Sequence, residues 1–409
     1  MLEKKCLGIL CSIVIIGVLI CTLWPFNPFP SNRVSWVPEV NGIRFGNHGV
    51  VISSAPLLAE ATDARKPCSL ELLLQPAELD RAYTILNFYA PDKLFQVKQW
   101  TDGLLASRSV LDTRNHVRTE KFDVDHAFPP GKLQLVTISS GPNGTVVYLN
   151  GRQAQVLPRF TISKSDLSGQ IVLGTSAVDY EPWPGEIRGL AIYSRELTPV
   201  AVLAHYENWT ARGGEPVDLE GAIARYTFTE GTGHEIHNAV AFGPDLEIPR
   251  SFRVPHKTLL ESPVKEFRGW RSRKRYLNDL LLNIAGFVPV GFLVCAYLGV
   301  TQNQKHALLY AILAGGILSF VIEVLQAYIP RRSSGTTDII TNTLGTALGA
   351  MIARPSLVRM TLRKIDSVVC WKRPNFAARP TSVVEDSGAP DGDLSSNIRQ
   401  ANTEPAFRG

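Results

Sequence analysis

Three polar pairs stand inside otherwise apolar stretches of the C-terminal half: Asp279 with Asn283, Glu323 with Gln326, and Asp338 with Asn342. Their i, i+4 and i, i+3 spacings put each pair on a single helical face. A carboxylate in an apolar helix costs on the order of 2.5–3.5 kcal/mol at a bilayer centre, so acids kept there need partners or a use. Two arginines, Arg331 and Arg332, lie between the second and third pairs in "PRRSSGTTD" and are expected to give Glu323 and Asp338 their counter-charge. The chemistry this set offers is specific. A guanidinium fork grips two oxygens of a phosphate. Glu323 or Asp338 serves as general acid or base, with a pKa raised by burial or lowered by arginine. Asn283, Gln326 and Asn342 fix the pose of a bound molecule. The plainer alternative makes all six side chains interhelical glue, at roughly 0.6 kcal/mol per bond.

Four apolar stretches must position these groups. "CLGILCSIVIIGVLICTLW" (6–24) carries no charge and ends at Pro25. Its length suits the roughly 30 Å hydrocarbon core at 1.5 Å per residue. A cleaved signal peptide is the rival reading, but no small-x-small cleavage site follows, so an uncleaved anchor is expected. The other three are 280–300, 307–329 and 337–353. Lys4 and Lys5 precede the first span, and Arg354, Arg359, Arg363 and Lys364 follow the last. Both termini therefore read as cytoplasmic, with the long segment between spans one and two outside. The five basic residues of "RGWRSRKRY" (268–276) oppose that rule, although long domains translocate largely regardless of charge. Because spans two, three and four alternate in direction, the polar pairs collect at one depth whichever way the chain is inserted. Gly345 and Gly349 continue the polar face of the last span, where small residues four apart let backbones approach. Pro289, between Gly286 and Gly291, invites a kink.

The stretch between Trp24 and Tyr276 is different. Short β-branched or aromatic runs such as "GVVISS", "CSLELLLQ", "AYTILNFYA", "LQLVTISS" and "GTVVYLNG" are bounded by Gly, Pro, Asn or Asp. Many short strands with turn signals predict an all-β sandwich or jelly roll. Asn150-Gly151 is a strong hairpin signal, because both residues tolerate positive φ. The exception is "TPVAVLAHYENW" (198–209), where Val202, His205 and Tyr206 suit a helical turn or two.

With 409 residues there is room for two or three domains, and the net charge of +5 is too mild to point to nucleic acid. Six cysteines are scattered without a CxxC pair, which argues against a disulfide framework or a zinc site. The fold class expected is a four-span membrane α-helical bundle plus an all-β extracytoplasmic jelly-roll sandwich. The parts are an N-terminal transmembrane anchor (1–30), the jelly roll (31–265), a basic juxtamembrane linker (266–277), the bundle (278–354) and a basic, then disordered, cytoplasmic tail (355–409).

"VVYLNG", "IVLGTS" and "WPGEIRGLAIYSRELTPVAVLAHYENW" resemble the LamG-like, concanavalin A-like jelly-roll family, over roughly 40–260. That resemblance implies a glycan-binding fold, with Trp183, Trp209, Asp179 and Tyr180 available to line a loop-end site, and calcium as in some relatives. The alternative is that these aromatics are core and Asp179 is a turn residue. No pair of acids stands at a spacing that suggests a glycosidase, which needs two opposed carboxylates.

The C-terminal spans resemble the VanZ-like family, on Asn283, Pro289 and Gly291, then Glu323 and Gln326, then Arg332, Asp338, Asn342 and Gly345. "LWPFNPFP" after the first span is similar to the segment that follows that family's first helix. The resemblance implies a bacterial cell-envelope membrane protein, in a family whose founding member is linked to glycopeptide (teicoplanin) resistance. It names no reaction. The partners it suggests are membrane lipids or lipid-linked glycans, with extracytoplasmic polysaccharide at the jelly roll. Two readings stay open: an acidic/arginine pocket that acts on or binds an anionic lipid-linked glycan or cell-wall precursor, and a non-catalytic carbohydrate-binding scaffold or receptor.

Overall fold

The computed structural model describes residues 2–58, 63, 66–111, 117–211, 219–240, 243–263, 273–301 and 304–353. The expected tail from 355 onward and most of the basic 268–276 cluster lie outside the described residues. After helix α1 (Leu2–Leu23) the chain enters a β domain and returns to three helices, α3 (Arg273–Thr301), α4 (Gln304–Tyr328) and α5 (Thr336–Ile352).

The β domain is a sandwich of two antiparallel sheets. One runs β1 (Val34–Trp36), β2 (Ile43–Phe45), β13 (Gly185–Tyr193), β4 (Cys68–Pro76), β9 (Gln134–Gly141), β10 (Gly144–Leu149) and β11 (Arg152–Leu157). Strand β14 (Ala222–Tyr226) is also paired with β13. The other runs β15 (Glu235–Ile236), β16 (Leu246–Glu247), β3 (Val51–Ser53), β12 (Gln170–Leu173), β5 (Ala82–Ala90), β6 (Lys93–Trp100), β7 (Gly103–Leu111) and β8 (Val117–Val124). Alternation decides which side chains meet between them. Leu70, Leu72 and Leu74 of β4 face Phe88, Phe95 and Val97 of the opposite sheet in the main core. The β4 residues in between point the other way, beneath helix α2 (Pro199–Ala211), so this strand is buried on both faces. The β10–β11 hairpin turns at Asn150 and Gly151, both at positive φ, as the dipeptide predicts. Helix α2 has 13 residues, longer than expected, and buries Val202, His205, Asn208 and Trp209 but not Tyr206.

Three helices among the described residues are long and apolar enough to cross a membrane: Lys4–Leu23, Tyr276–Val300 and His306–Tyr328. The expected fourth span falls short. Helix α5 has 17 residues, a rise of about 25 Å at 1.5 Å per residue against a core of about 30 Å. What α5 lacks in length it has in contact. A Cβ placed on Gly345 would collide with the Ile284 carbonyl, one on Gly349 with that of Val288, and one on Gly291 with that of Thr346. Glycines thus bring the backbones of α3 and α5 together, the close approach that small residues permit. Helix α3 runs on through Pro289.

The two parts are laced together at one end of the bundle. The chain enters and leaves the sandwich side by side, through a Ser31–Ser251 bridge and a Phe252 N–H bond to the Pro30 carbonyl at 2.8 Å. A strap, residues 257–261, then lies along the turn between α4 and α5. Glu261 pairs with Gly335 in a parallel bridge, its N–H donates to the Ser334 carbonyl at 2.8 Å, and its carbonyl accepts the Thr336 N–H at 2.9 Å.

Candidate functional site

The α4–α5 turn exposes four carbonyls and four N–H groups with no partners inside their own helices. Side chains from elsewhere satisfy several of them. Glu323, only 1% exposed, accepts the Gly335 N–H at 2.8 Å where α5 begins. A carboxylate there also complements the positive end of the α5 dipole. Lys257 of the strap donates Nζ to the carbonyls of Gln326 at 2.9 Å and Ile329 at 2.6 Å, covering the end of α4. Burial brings its ammonium down to about 8, against the upward pull of Glu323. The Gln326 amide reaches α1, donating Nε2 to the Thr22 carbonyl at 2.9 Å.

The arginines act differently from the expectation. Among the described residues, neither Arg331 nor Arg332 lies within ion-pair distance of Glu323 or Asp338. Arg332 donates Nη2 to the carbonyls of Trp24 at 2.7 Å and Cys21 at 3.4 Å, so it caps the end of α1. Arg331 donates Nε to the Tyr180 hydroxyl at 3.1 Å, and its guanidinium lies 5.4 Å from the centre of that ring. The physical reason is that helix ends offer unpaired carbonyls. An arginine at a turn satisfies them without taking its own charge out of water, whereas a buried ion pair must repay desolvation.

Asp338 is half-buried and takes its partner from α3: Asn283 donates Nδ2 to its Oδ1 at 2.7 Å. Asp279 is exposed, one turn before Asn283 on the same helical face. Asn342 lies one turn deeper, donating Nδ2 to the Ser319 hydroxyl of α4 at 2.9 Å. Its own Oδ1 and the hydroxyl of Thr337 are buried with no hydrogen-bond partner among the described residues. Asn283, Glu323, Gln326 and Asp338 therefore all bond at the end of the bundle that meets the sandwich. That shared level follows from where α3 and α5 start and where α4 stops.

A cleft of about 450 Å³ opens at this junction. One wall is the sandwich loop with Asp179 and Tyr180, the floor is the strap with Lys257 and Glu261, and the opposite wall is the turn with Arg331 and Arg332. Asp179 and Arg331 are exposed, Arg332 is half-buried. Tyr180 ties the walls together. Besides accepting from Arg331, its hydroxyl donates to the Asn47 carbonyl at 2.9 Å and lies 3.3 Å from His48 Nε2. Burial lowers the His48 pKa, and Arg331 and Arg33 lower it further. Sequence reasoning brought Asp179 and the arginines forward separately. It missed Lys257 and Glu261, for which no periodicity or spacing is a signal.

Trp183 is not in the cleft. It is fully buried between the sheets, with its indole N–H donated to Gln99 Oε1 at 2.7 Å, so it belongs to the core and cannot line a ligand site. Trp209, on the inner face of α2, is buried likewise. Its indole N–H donates to Glu71 Oε2 at 3.1 Å, and Glu71 also bonds the Tyr193 hydroxyl at 3.1 Å and His205 Nδ1 at 3.0 Å. This buried network pins α2 to the sheet, and sequence reasoning missed it too. Among the described residues, no group of three or more His, Cys, Asp or Glu side chains is placed to hold a metal ion.

Residues 229–359 match the VanZ/LLP1 family model, and residues 53–202 match the model of the concanavalin A-like lectin/glucanases superfamily. No curated protein matches the chain. Among solved structures, the receptor-binding domain of botulinum neurotoxin D is 18% identical, with a TM-score of 0.33 over 44% of this chain and 47% of that one. The receptor-binding domain of the botulinum neurotoxin C/D mosaic serotype is 17% identical, with the same score over 44% of this chain and 45% of that one. The chain spans less than half the length of each. The VanZ/LLP1 match takes in the strap as well as α3, α4 and α5. The chain thus joins a concanavalin A-like domain to a VanZ/LLP1 membrane segment.

Proposed function

We propose that this chain is an integral membrane protein of the bacterial cell envelope that binds an anionic, lipid-linked glycan or cell-wall precursor in the junction cleft. The observation that carries this reading is the pairing of unlike walls: exposed Arg331 on the membrane turn and exposed Asp179 on the sandwich loop line one cavity. The terminal nitrogens of Arg331 suit phosphate oxygens. The carboxylates of Asp179 and Glu261 are acceptors suited to sugar hydroxyls. The concanavalin A-like fold supports a glycan as the soluble part of the ligand, and the membrane helices support a lipid as the rest. The N-terminus, behind Lys4 and Lys5, would be cytoplasmic and the sandwich extracytoplasmic. Binding such a precursor would alter susceptibility to glycopeptides such as teicoplanin.

Binding fits the geometry better than catalysis at Glu323, because that carboxylate is committed to the Gly335 N–H and sealed from solvent. Asp338, half-buried beside Asn283, is the acid better placed to exchange a proton. The test uses the full-length protein in nanodiscs, with a polyprenyl diphosphate-linked sugar and the bare polyprenyl phosphate as probes. Arg331→Ala is expected to weaken both by roughly tenfold, the worth of one charge-assisted bond. Asp179→Ala is expected to weaken only the sugar-bearing probe. Equal affinity for both probes in the wild type and both variants would remove the cleft as the site.

A further inference from the structure

The segment that leaves the first membrane helix carries large aromatics that the fold leaves uncovered. Trp24 is 70% exposed, Phe26 62% and Phe29 68%. Three such side chains within six residues would ordinarily fold back onto a core. Here they stay exposed on a segment whose two ends are both held. At one end, Arg332 and Gln326 fix the Trp24 and Thr22 carbonyls to the bundle. At the other, the Pro30 carbonyl accepts from Phe252, and Asn32 donates Nδ2 to the Val50 and Pro249 carbonyls at 2.8 Å each. The aromatics therefore project outward from a pinned loop.

Their level is set by the helices. The apolar part of α1, Lys4–Leu23, has 20 residues, about 30 Å at 1.5 Å per residue and so one hydrocarbon core. With Lys4 and Lys5 at one boundary, Trp24 stands at the other. The Gln326 bond to Thr22 aligns the end of α4 with that boundary, where Tyr328 is 60% exposed. Leu259 of the strap, two residues beyond Lys257, is 54% exposed at the same end. Aromatic side chains favour the headgroup level of a bilayer, where an apolar ring and a polar handle are both accommodated.

We propose that Trp24, Phe26 and Phe29 form a foot that inserts into the headgroup–acyl boundary of the bilayer and seats the sandwich against the membrane. The partner is the lipid surface itself. The foot stands whether or not the cleft binds a glycan. Arg332 is common to the foot's anchor and the cleft wall, so the foot holds the cleft at headgroup depth.

Tryptophan fluorescence of the full-length protein in phosphatidylcholine/phosphatidylglycerol vesicles tests this directly. The component lost in Trp24→Phe reports that residue alone among the seven tryptophans. It should be quenched at least twofold more by lipids brominated near the headgroup than by lipids brominated near the chain end, and should resist aqueous iodide. Quenching by iodide with none by either brominated lipid would overturn the foot. In the Phe26→Ser/Phe29→Ser double variant, the Trp24 component should shift to the red and gain severalfold sensitivity to iodide. No change in that variant would equally overturn the foot as a unit. Neither readout depends on a cleft ligand, so failure here is distinguishable from failure of the proposed binding.

Discussion

Glu323 Oε2 receives the Gly335 N–H at 2.8 Å, so an acid twelve positions earlier in the chain starts the last helix. An intramembrane carboxylate draws attention as a reactive group. In this position it does the work of a cap, supplied from a neighbouring helix because the N-cap residue is a glycine without a side chain.

Glu323→Gln keeps an oxygen acceptor in place, whereas Glu323→Ala leaves a buried N–H without a partner. The alanine variant should lose about 1–3 kcal/mol of stability, read by denaturant unfolding in detergent micelles. The glutamine variant should lose clearly less. Equal losses would mean that the charge, not the bond, holds the turn.

Gly349→Leu should be among the most damaging substitutions in the bundle. Even a Cβ at that position collides with the Val288 carbonyl, and the α3–α5 interface has no slack beside it. Overpacking of this kind costs typically ~1–3 kcal/mol or more. Gly299→Leu is the control, since nothing lies within 4 Å of a Cβ there. A thermal midpoint lowered only in the first variant is the expected result.

Lys257 gives stability a pH signature. Its ammonium titrates near 8 in the folded protein, against an ordinary value of 10.5. Between those values the unfolded chain binds more protons than the folded one, so this residue makes stability rise with pH across that window. Below 8 both states hold the proton and its contribution is flat. Thermal unfolding of Lys257→Met, compared with the wild type from neutral pH to about 10, should show a shallower rise. A steeper rise in the variant would contradict the assigned direction.

Trp183→Ala should unfold the sandwich rather than impair a binding surface. Removing a buried tryptophan costs about 3–5 kcal/mol, and here it also leaves Gln99 Oε1 without its donor. The more telling variant is Trp183→Phe, which should lower the unfolding midpoint yet leave the affinity for a glycan-bearing probe unchanged. Loss of affinity in a folded Trp183→Phe protein would return this residue to the ligand site.

The sandwich was legible because strand signals are local. Alternation in "CSLELLLQ" and the Asn150-Gly151 turn need only nearest neighbours to be interpreted. The meeting of Asn283 with Asp338 was anticipated by helix spacing and the alternating direction of successive spans. The place of Arg332 was not, because its partners are backbone carbonyls at the end of α1, about 310 residues away in the chain, and carbonyls carry no sequence signal; Arg331 turns instead to the Tyr180 hydroxyl of the sandwich. Lys257 was invisible for the same reason. Trp183, flanked by prolines in "PWPG", has the local look of a loop aromatic, and only the second sheet reveals it as core. The fourth span failed on length. An apolar run with two threonines at its start shows composition, but the position of the helix start is decided by the strap and by Glu323.

The Ser31–Ser251 bridge means that the chain enters and leaves the β domain at a single point. Cutting the chain at that clasp and rejoining the ends would remove some 220 residues while leaving a gap that one short peptide could close. Such a module can be gained, lost or exchanged in one genetic event without disturbing the helices beneath it. The helices can then keep one architecture while the headpiece they carry is replaced by another.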